Sequence, residues 1–153
     1  GCTIVDNTLS GIVLASNASA ITMGIKNNVI YSNGGWGIEN LDTQAEVDAR
    51  ITGNRNNFYG DNTSGSLSAI SAGVNDVALT ADPFTNRAAR DFSLNNTAGG
   101  GASVRAAGFP EVFPAGLTTG YRDGGAVQHQ DAAAAGGVIV PAHAIGLESV
   151  MGY

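Results

Sequence analysis

Charge is scarce in this chain, and what there is leans one way. Charged residues fill 13% of the 153 positions, roughly half the usual share of a soluble domain. The 13 acids outnumber the 7 bases for a net charge of −6, and Lys26 is the sole lysine. Such a surface does not attract phosphate backbones, so nucleic acid is not expected as a partner. Cysteine is limited to Cys2, which excludes an intrachain disulfide framework and a multi-thiolate zinc site. His129 and His143 are too far apart in sequence for a short ligand pair, so neither a metal nor any other cofactor is expected. No apolar run approaches the ~20 residues that span a bilayer. The opening Gly1-Cys2-Thr3 lacks an initiating Met and a basic leader, and reads as an internal or processed start of a longer protein.

Hydrophobic material is not lacking. It makes up 43% of the chain, with a mean hydropathy of +0.05, which excludes disorder by composition. Glycine is abundant at 22 residues but follows no strict every-third repeat. That excludes collagen and points to a fold with many tight turns in a domain of ordinary size.

The turns recur. Asn7, Asn33 and Asn62 align the segments Ile4-Val5-Asp6-Asn7, Ile30-Tyr31-Ser32-Asn33 and Tyr59-Gly60-Asp61-Asn62. Upstream, Lys26-Asn27-Asn28-Val29 pairs with Arg55-Asn56-Asn57-Phe58. Short apolar pieces such as Ile21-Thr22-Met23-Gly24-Ile25 alternate with Asn, Gly and Ser, residues that tolerate positive φ. Helices of useful length cannot form on that pattern, whereas short strands meeting at corners can. One repeat cannot close its own core, but stacked repeats bury their inward side chains in one column, the logic of a parallel β-solenoid. A corner carboxamide can donate to and accept from the same position one repeat away. Asn7, Asn33 and Asn62 are therefore expected to form a structural ladder rather than a binding site. Tyr31, Phe58 and Tyr59 read as core or stacking residues. Trp36, between Gly35 and Gly37, reads as a ring in an exposed loop, and residues 41–50 read as an insertion carrying Asp42, Glu46 and Asp48. Trp36 and these three acids are the candidate glycan contacts.

The second half carries Asp82-Pro83-Phe84, Arg90-Asp91-Phe92-Ser93-Leu94, Ala102-Ser103-Val104-Arg105-Ala106-Ala107-Gly108 and Tyr121-Arg122-Asp123-Gly124-Gly125-Ala126-Val127-Gln128. This set resembles the closing section of right-handed parallel β-helix repeat proteins, in the pectate-lyase-like superfamily that includes phage tailspikes and other virion appendages. Val104 stands where that family has Pro, and the usual Asp between Arg105 and Gly108 is missing. The resemblance implies an all-β fold: β-helix coils in residues 1–81, a capping section in 82–130, and an Ala/Gly linker with an apolar tail in 131–153. It implies an extracellular setting, on a virion surface, a bacterial cell surface or secreted. It also implies a homo-oligomer, with a trimer favoured, or a larger virion or surface assembly. The tail, with Val138, Ile139, Val140, Ile145, Leu147, Val150 and Tyr153, has no core left to join once the cap is complete. Folding back along its own solenoid or docking on a neighbouring subunit would give it a role, and residues 138–140 suit strand addition.

Catalytic patterns are weak. Asp6 and Asp61 would lie two repeats apart, about 10 Å at the spacing of adjacent strands, with Ser32 between them. Glycoside hydrolysis needs carboxyls about 5 to 9.5 Å apart. The acids of 41–50 suit a solvated loop better than a base, and their spacing is too sparse for calcium. No Gly-x-Ser-x-Gly elbow occurs, and the run Ala98-Gly99-Gly100-Gly101-Ala102 lacks the Lys-Ser/Thr ending of a phosphate loop. No catalytic residue is assigned. The expected function is a structural and recognition module of a virion appendage, capsid-decorating protein or bacterial surface protein, displaying a glycan-facing surface. The alternative is a polysaccharide lyase or glycoside hydrolase whose catalytic coils lie upstream or between subunits.

Overall fold

The structure, a computed structural model, describes residues 1–15, 22–43, 49, 51, 53–105, 107–109 and 123–128. The acids Glu46 and Asp48 and the tail positions Val138, Ile139, Val140, Ile145, Leu147, Val150 and Tyr153 lie outside these residues.

The protein is all-β. Strands β1 (Thr3–Val5), β3 (Val29–Tyr31), β5 (Phe58–Gly60) and β7 (Val77–Ala78) form one parallel sheet in that order. Strands β2 (Ile12–Leu14), β4 (Trp36–Asn40) and β6 (Gly65–Ser68) form a second. Along the chain the strands alternate between the two sheets, so each repeat adds one strand to each. Thr3 stands beside Val29, Val29 beside Phe58 and Phe58 beside Val77, while Ile12, Ile38 and Leu67 line up in the other sheet. A third line of parallel contact is thinner, with single bridges joining Met23 to Ile51 and Lys26 through Arg55 to Val74. The stretch expected as a strand around Met23 is thus reduced to isolated bridges among the described residues. Helical elements described are short: a 3-10 turn at Arg87–Ala89 and α1 (Gly101–Val104). No described helix is long and apolar enough to cross a membrane.

Both faces of the first sheet are apolar, because alternate side chains of a strand point to opposite sides. On the inner face Ile30 and Tyr59 join Leu14, Ile25, Ile38 and Ile70 in one cluster. On the outer face Val29, Tyr31 and Phe58 join Leu79, Phe84, Leu94 and Val104 in another. Phe58 and Tyr59, adjacent in sequence, are therefore buried in different cores.

Left-handed corners bracket β3 and β5 on both sides, and one follows β1 and one precedes β7. Asp6, Ser32 and Asp61 follow the strands with φ of 55°, 55° and 52°, and Asn27, Asn56 and Asn75 precede them with φ of 57°, 54° and 58°. Such angles are costly for residues with a Cβ, and Asn and Asp tolerate them best. Immediately after each corner residue stands a ladder residue. Asn33 Oδ1 accepts both the backbone N–H and the side-chain Nδ2 of Asn7, at 3.2 and 2.8 Å. Asn62 Oδ1 accepts the same two groups of Asn33, at 3.1 and 2.8 Å. A second ladder runs along the other corner: Asn57 Oδ1 accepts from Asn28, and Asp76 Oδ1 accepts from Asn57. Asp76 can only accept, so it ends this ladder. Its Oδ2 takes the Tyr59 hydroxyl at 3.1 Å and the Gly73 N–H at 2.8 Å.

The C-terminal segment, expected to cap the end of the stack, lies along its flank where described. Strands β8 (Phe84–Asn86) and β9 (Asp91–Leu94) form an antiparallel pair whose Phe84 packs edge-on against Tyr31 at 6.3 Å. The reason is apolar area: Val29, Tyr31 and Phe58 face outward and need cover, and burying each large side chain is worth roughly 1.5–3 kcal/mol. Polar groups hold this cover in place. Asn95 Nδ2 donates to the carbonyls of Asp82 and Phe84, and its Oδ1 accepts the N–H groups of Thr97 and Gly101. The corner carboxamide of Asn27 pairs both ways with the backbone of Phe109, while Asn56 Nδ2 donates to Ala107 O. Arg55 and Lys26 then sit over the Phe109 ring at 4.2 and 5.8 Å. Further along, Gly125 N–H donates to Asn27 O, and a Cβ on Gly124 would fall 2.3 Å from the Phe58 ring, so only glycine passes there.

Two outcomes follow from the ladders. Asn33 is 1% exposed and bonds on both sides, whereas Asn7 is an exposed end rung. Each stranded buried partner costs about 1–3 kcal/mol, so Asn33→Ala should lose about 3 kcal/mol or more in urea unfolding and Asn7→Ala about 1 kcal/mol. Equal losses would contradict the ladder as a chain of buried bonds. The Tyr59 phenol is pushed far above its ordinary value of 10.0, first by burial and then by the Asp76 carboxylate. A phenol raised in the fold contributes stability below the unfolded value that is lost as pH climbs above it. Stability should therefore decline above pH 10.0 in the native chain, and Tyr59→Phe should show a shallower decline from a neutral-pH value lower by about 1 kcal/mol. An unchanged alkaline slope would contradict this.

Candidate recognition surface

The outer face of the second sheet is built around β4. Strict alternation fails in this strand. Ile38 is fully buried in the inner cluster, and a Cβ on Gly37 would also point inward, 3.2 Å from the Tyr59 ring and 3.0 Å from Asn62 Nδ2. With two consecutive inward positions, Trp36 and Glu39 emerge on the same outer face although they are three residues apart. Val13 and Ser68 flank Glu39 in register, and Val13 is half exposed.

Trp36 is the correction here. Its flanking glycines suggested an exposed loop, but it opens β4, stands opposite Gly65 and is half-buried. The ring lies over Gly65, where a Cβ would come within 2.8 Å of Cζ3, and Gly65 has a φ of +124°, a second reason for glycine. Ser10, in the preceding repeat, links the two outward residues. Its Oγ accepts the Trp36 N–H at 3.0 Å and donates to Glu39 Oε2 at 2.6 Å. The result is a flat ring with a fixed backbone and, beside it, a carboxylate held by one hydroxyl.

Asp42 does not join them. Its N–H donates to Asn40 Oδ1 at 2.8 Å and its own Oδ1 accepts from Thr43 N–H, a turn beyond the end of β4 opposite Trp36. Asn40, 5% exposed, fixes that turn by donating to Ala69 O at 2.6 Å. Ser10 and Glu39 were the residues missed on sequence. The only signal for them was the two-residue inward step at Gly37-Ile38, which shows once the stack is known.

The acids Asp6 and Asp61 do occupy equivalent corner positions, with Ser32 between them. What faces Asp6 is a cation: the Arg87 guanidinium pairs with its carboxylate, reaches Asp82 Oδ2 through Nε at 3.1 Å and lies 5.4 Å from the centre of the Tyr31 ring. Tyr31 is held above its ordinary value, first by burial and then by the Asp61 and Asp82 carboxylates, with Arg87 opposing them. Among the described residues no three His, Cys, Asp or Glu side chains gather as metal ligands would. In comparisons with known proteins, no family model, no curated protein and no solved structure matches the chain.

Proposed function

We propose that the chain is the C-terminal section of a right-handed parallel β-helix of the pectate-lyase-like superfamily. It works as a non-catalytic structural and recognition module in an extracellular assembly: a virion appendage, a capsid-decorating protein or a bacterial surface protein. The parallel alternation of strands between two sheets supports the solenoid, and right-handed connections are the rule where strands are parallel. Assembly as a homo-oligomer, with residues 138–153 as the joining tail, belongs to the same reading.

The recognition role is carried by one observation: the Trp36 ring over Gly65 beside the Ser10–Glu39 pair. A flat aromatic ring receives the apolar face of a sugar, and an oriented carboxylate accepts its hydroxyl protons. The carboxylate and the net charge of −6 favour a neutral glycan over an acidic one. The lyase or hydrolase reading rests on the resemblance alone, with its catalytic coils upstream or between subunits; of the two acids at equivalent corners here, Asp6 is already engaged by the Arg87 guanidinium.

Trp36 is the sole tryptophan, so its fluorescence reports on this surface directly. Titration with a panel of neutral oligosaccharides should give a saturable change in emission for at least one of them. Glu39→Gln should weaken that binding about tenfold, the effect of losing one charged hydrogen bond. Silent fluorescence together with no heat of binding across the panel would overturn the glycan reading.

A further inference from the structure

We infer that a pocket beside the bridge between Arg55 and Val74 holds the terminal carboxylate of a partner protein whose last residue is aliphatic. The pocket has a volume of about 360 Å³ and opens between two consecutive repeats. Ile51, Asn54 and Arg55 line it from one repeat, and Ala72, Gly73 and Val74 from the next. Both walls come from repeats beyond the first, so the pocket owes nothing to what precedes Gly1.

The two walls are joined before any ligand arrives. Val74 N–H donates to Asn54 O at 3.1 Å, and Asn56 N–H donates to Val74 O at 2.9 Å. The Asn54 side chain spans the repeats, donating through Nδ2 to Ser71 O at 3.0 Å while its Oδ1 accepts from Asn57 at 2.8 Å. A Cβ on Gly73 would fall 2.5 Å from the Asn54 carbonyl, so the repeats approach there as closely as glycine permits. Little ordering is left to oppose binding.

The lining defines the ligand. Arg55 is half-buried with its guanidinium laid on the Phe109 ring at 4.2 Å, and it forms no ion pair or hydrogen bond with a described residue. Stacking by the face leaves the edge of the guanidinium, where its N–H donors lie, for a carboxylate. Lys26 adds a second positive charge, its Nζ 3.7 Å from where a Cβ on Gly53, another wall residue, would stand. Asp76 takes the Gly73 N–H but is not part of the wall. The local charge therefore favours an anion, although the chain as a whole carries −6. The side chains of Ile51, Ala72 and Val74 are aliphatic, and Val74 is 59% exposed. No aromatic ring lines the pocket as a platform for a sugar, whereas an aliphatic side chain would be covered on both sides. Gly53 and Gly73 contribute only main chain, which suits the amides of a peptide. A carboxylate joined to an aliphatic side chain and an amide is the C-terminal residue of a polypeptide. This inference does not rest on the glycan reading, which concerns the outer face of the second sheet.

The probe is the peptide Gly-Ser-Gly-Ser-Ala-Val, labelled with fluorescein at its N-terminus and free at its carboxylate, titrated with the full chain and followed by anisotropy. Saturable binding is expected, weakened about tenfold or more when the carboxylate is amidated. Arg55→Gln should weaken binding of the free acid by a similar factor and leave the amide unchanged. Because Arg55 also packs on Phe109, a second variant is needed if Arg55→Gln loses its fold by circular dichroism. Ala72→Glu serves, since it places an opposing charge at an exposed position of the wall, and the same loss is expected of it. No saturable binding up to about 1 mM, or equal binding of acid and amide, would overturn the proposal. Binding of an oligouronate in preference to the peptide would make the occupant an acidic glycan and overturn it as well. Self-association of the chain that the peptide disperses would make a second copy the occupant and overturn the separate partner.

Discussion

A carboxamide that accepts two N–H groups from the repeat before it is the interaction on which the rest of the structure depends. At a corner the chain leaves its sheet, and the N–H just past the turn loses its strand partner. In Asn33, Asn62 and Asn57 the side chain restores it: one Oδ1 takes the backbone N–H and the Nδ2 of the rung below. The residue before each rung holds a left-handed φ, a cost of order 1 kcal/mol that the two bonds offset. Corners fixed in this way set the register of strands only two or three residues long. Asn28 and Asn33 bracket β3 at the same spacing as Asn57 and Asn62 bracket β5, so every inward side chain between them is placed by the rungs.

The first ladder was legible because its rungs share a residue type and its offsets of 26 and 29 residues are close to a period. The second ladder was half visible. Its first two rungs sit in the paired segments Lys26-Asn27-Asn28-Val29 and Arg55-Asn56-Asn57-Phe58, but the third is Asp76, only 19 residues on. A changed residue type and a shortened repeat together hide it, although a carboxylate is the natural end of a ladder that needs no further donor. Glycine misled in the other direction. Gly35 and Gly37 suggested a loop around Trp36, yet a Cβ on either would meet the neighbouring repeat within 3 Å, so these glycines mark close approach between repeats, Gly37 within β4 and Gly35 just before it. Sequence patterns also could not say on which side the C-terminal segment lies. That depends on the outer face of β3 and β5 being as apolar as the inner one, which the run Val29-Ile30-Tyr31 shows only when both faces are known to be covered.

The scarcity of charge has a related cause. Polar demands at the corners are met by amides, which bond in both directions and carry no desolvation penalty of the ionic kind. Two of the charged residues mark the limits of this scheme, one at the end of a ladder and one on the flank. Asp76 closes a ladder, and Arg87 ties the C-terminal pair of strands to the first corner through Asp6 while covering the Tyr31 ring.

Because the rungs fix only the stretch between two corners, the rest of each repeat is free to change. The repeat lengths of 26, 29 and 19 residues differ entirely outside the bracketed strands, in the connections that lead from the second sheet back to the first. The register of Ile12, Ile38 and Leu67 survives those differences, since it is set from the first sheet through the same corners. A surface residue such as Trp36 or Glu39 therefore sits on a strand whose position does not depend on the connection that follows it. Recognition can be altered on the outer face, and connections lengthened or shortened beside it, without moving the ladder that holds the repeats together.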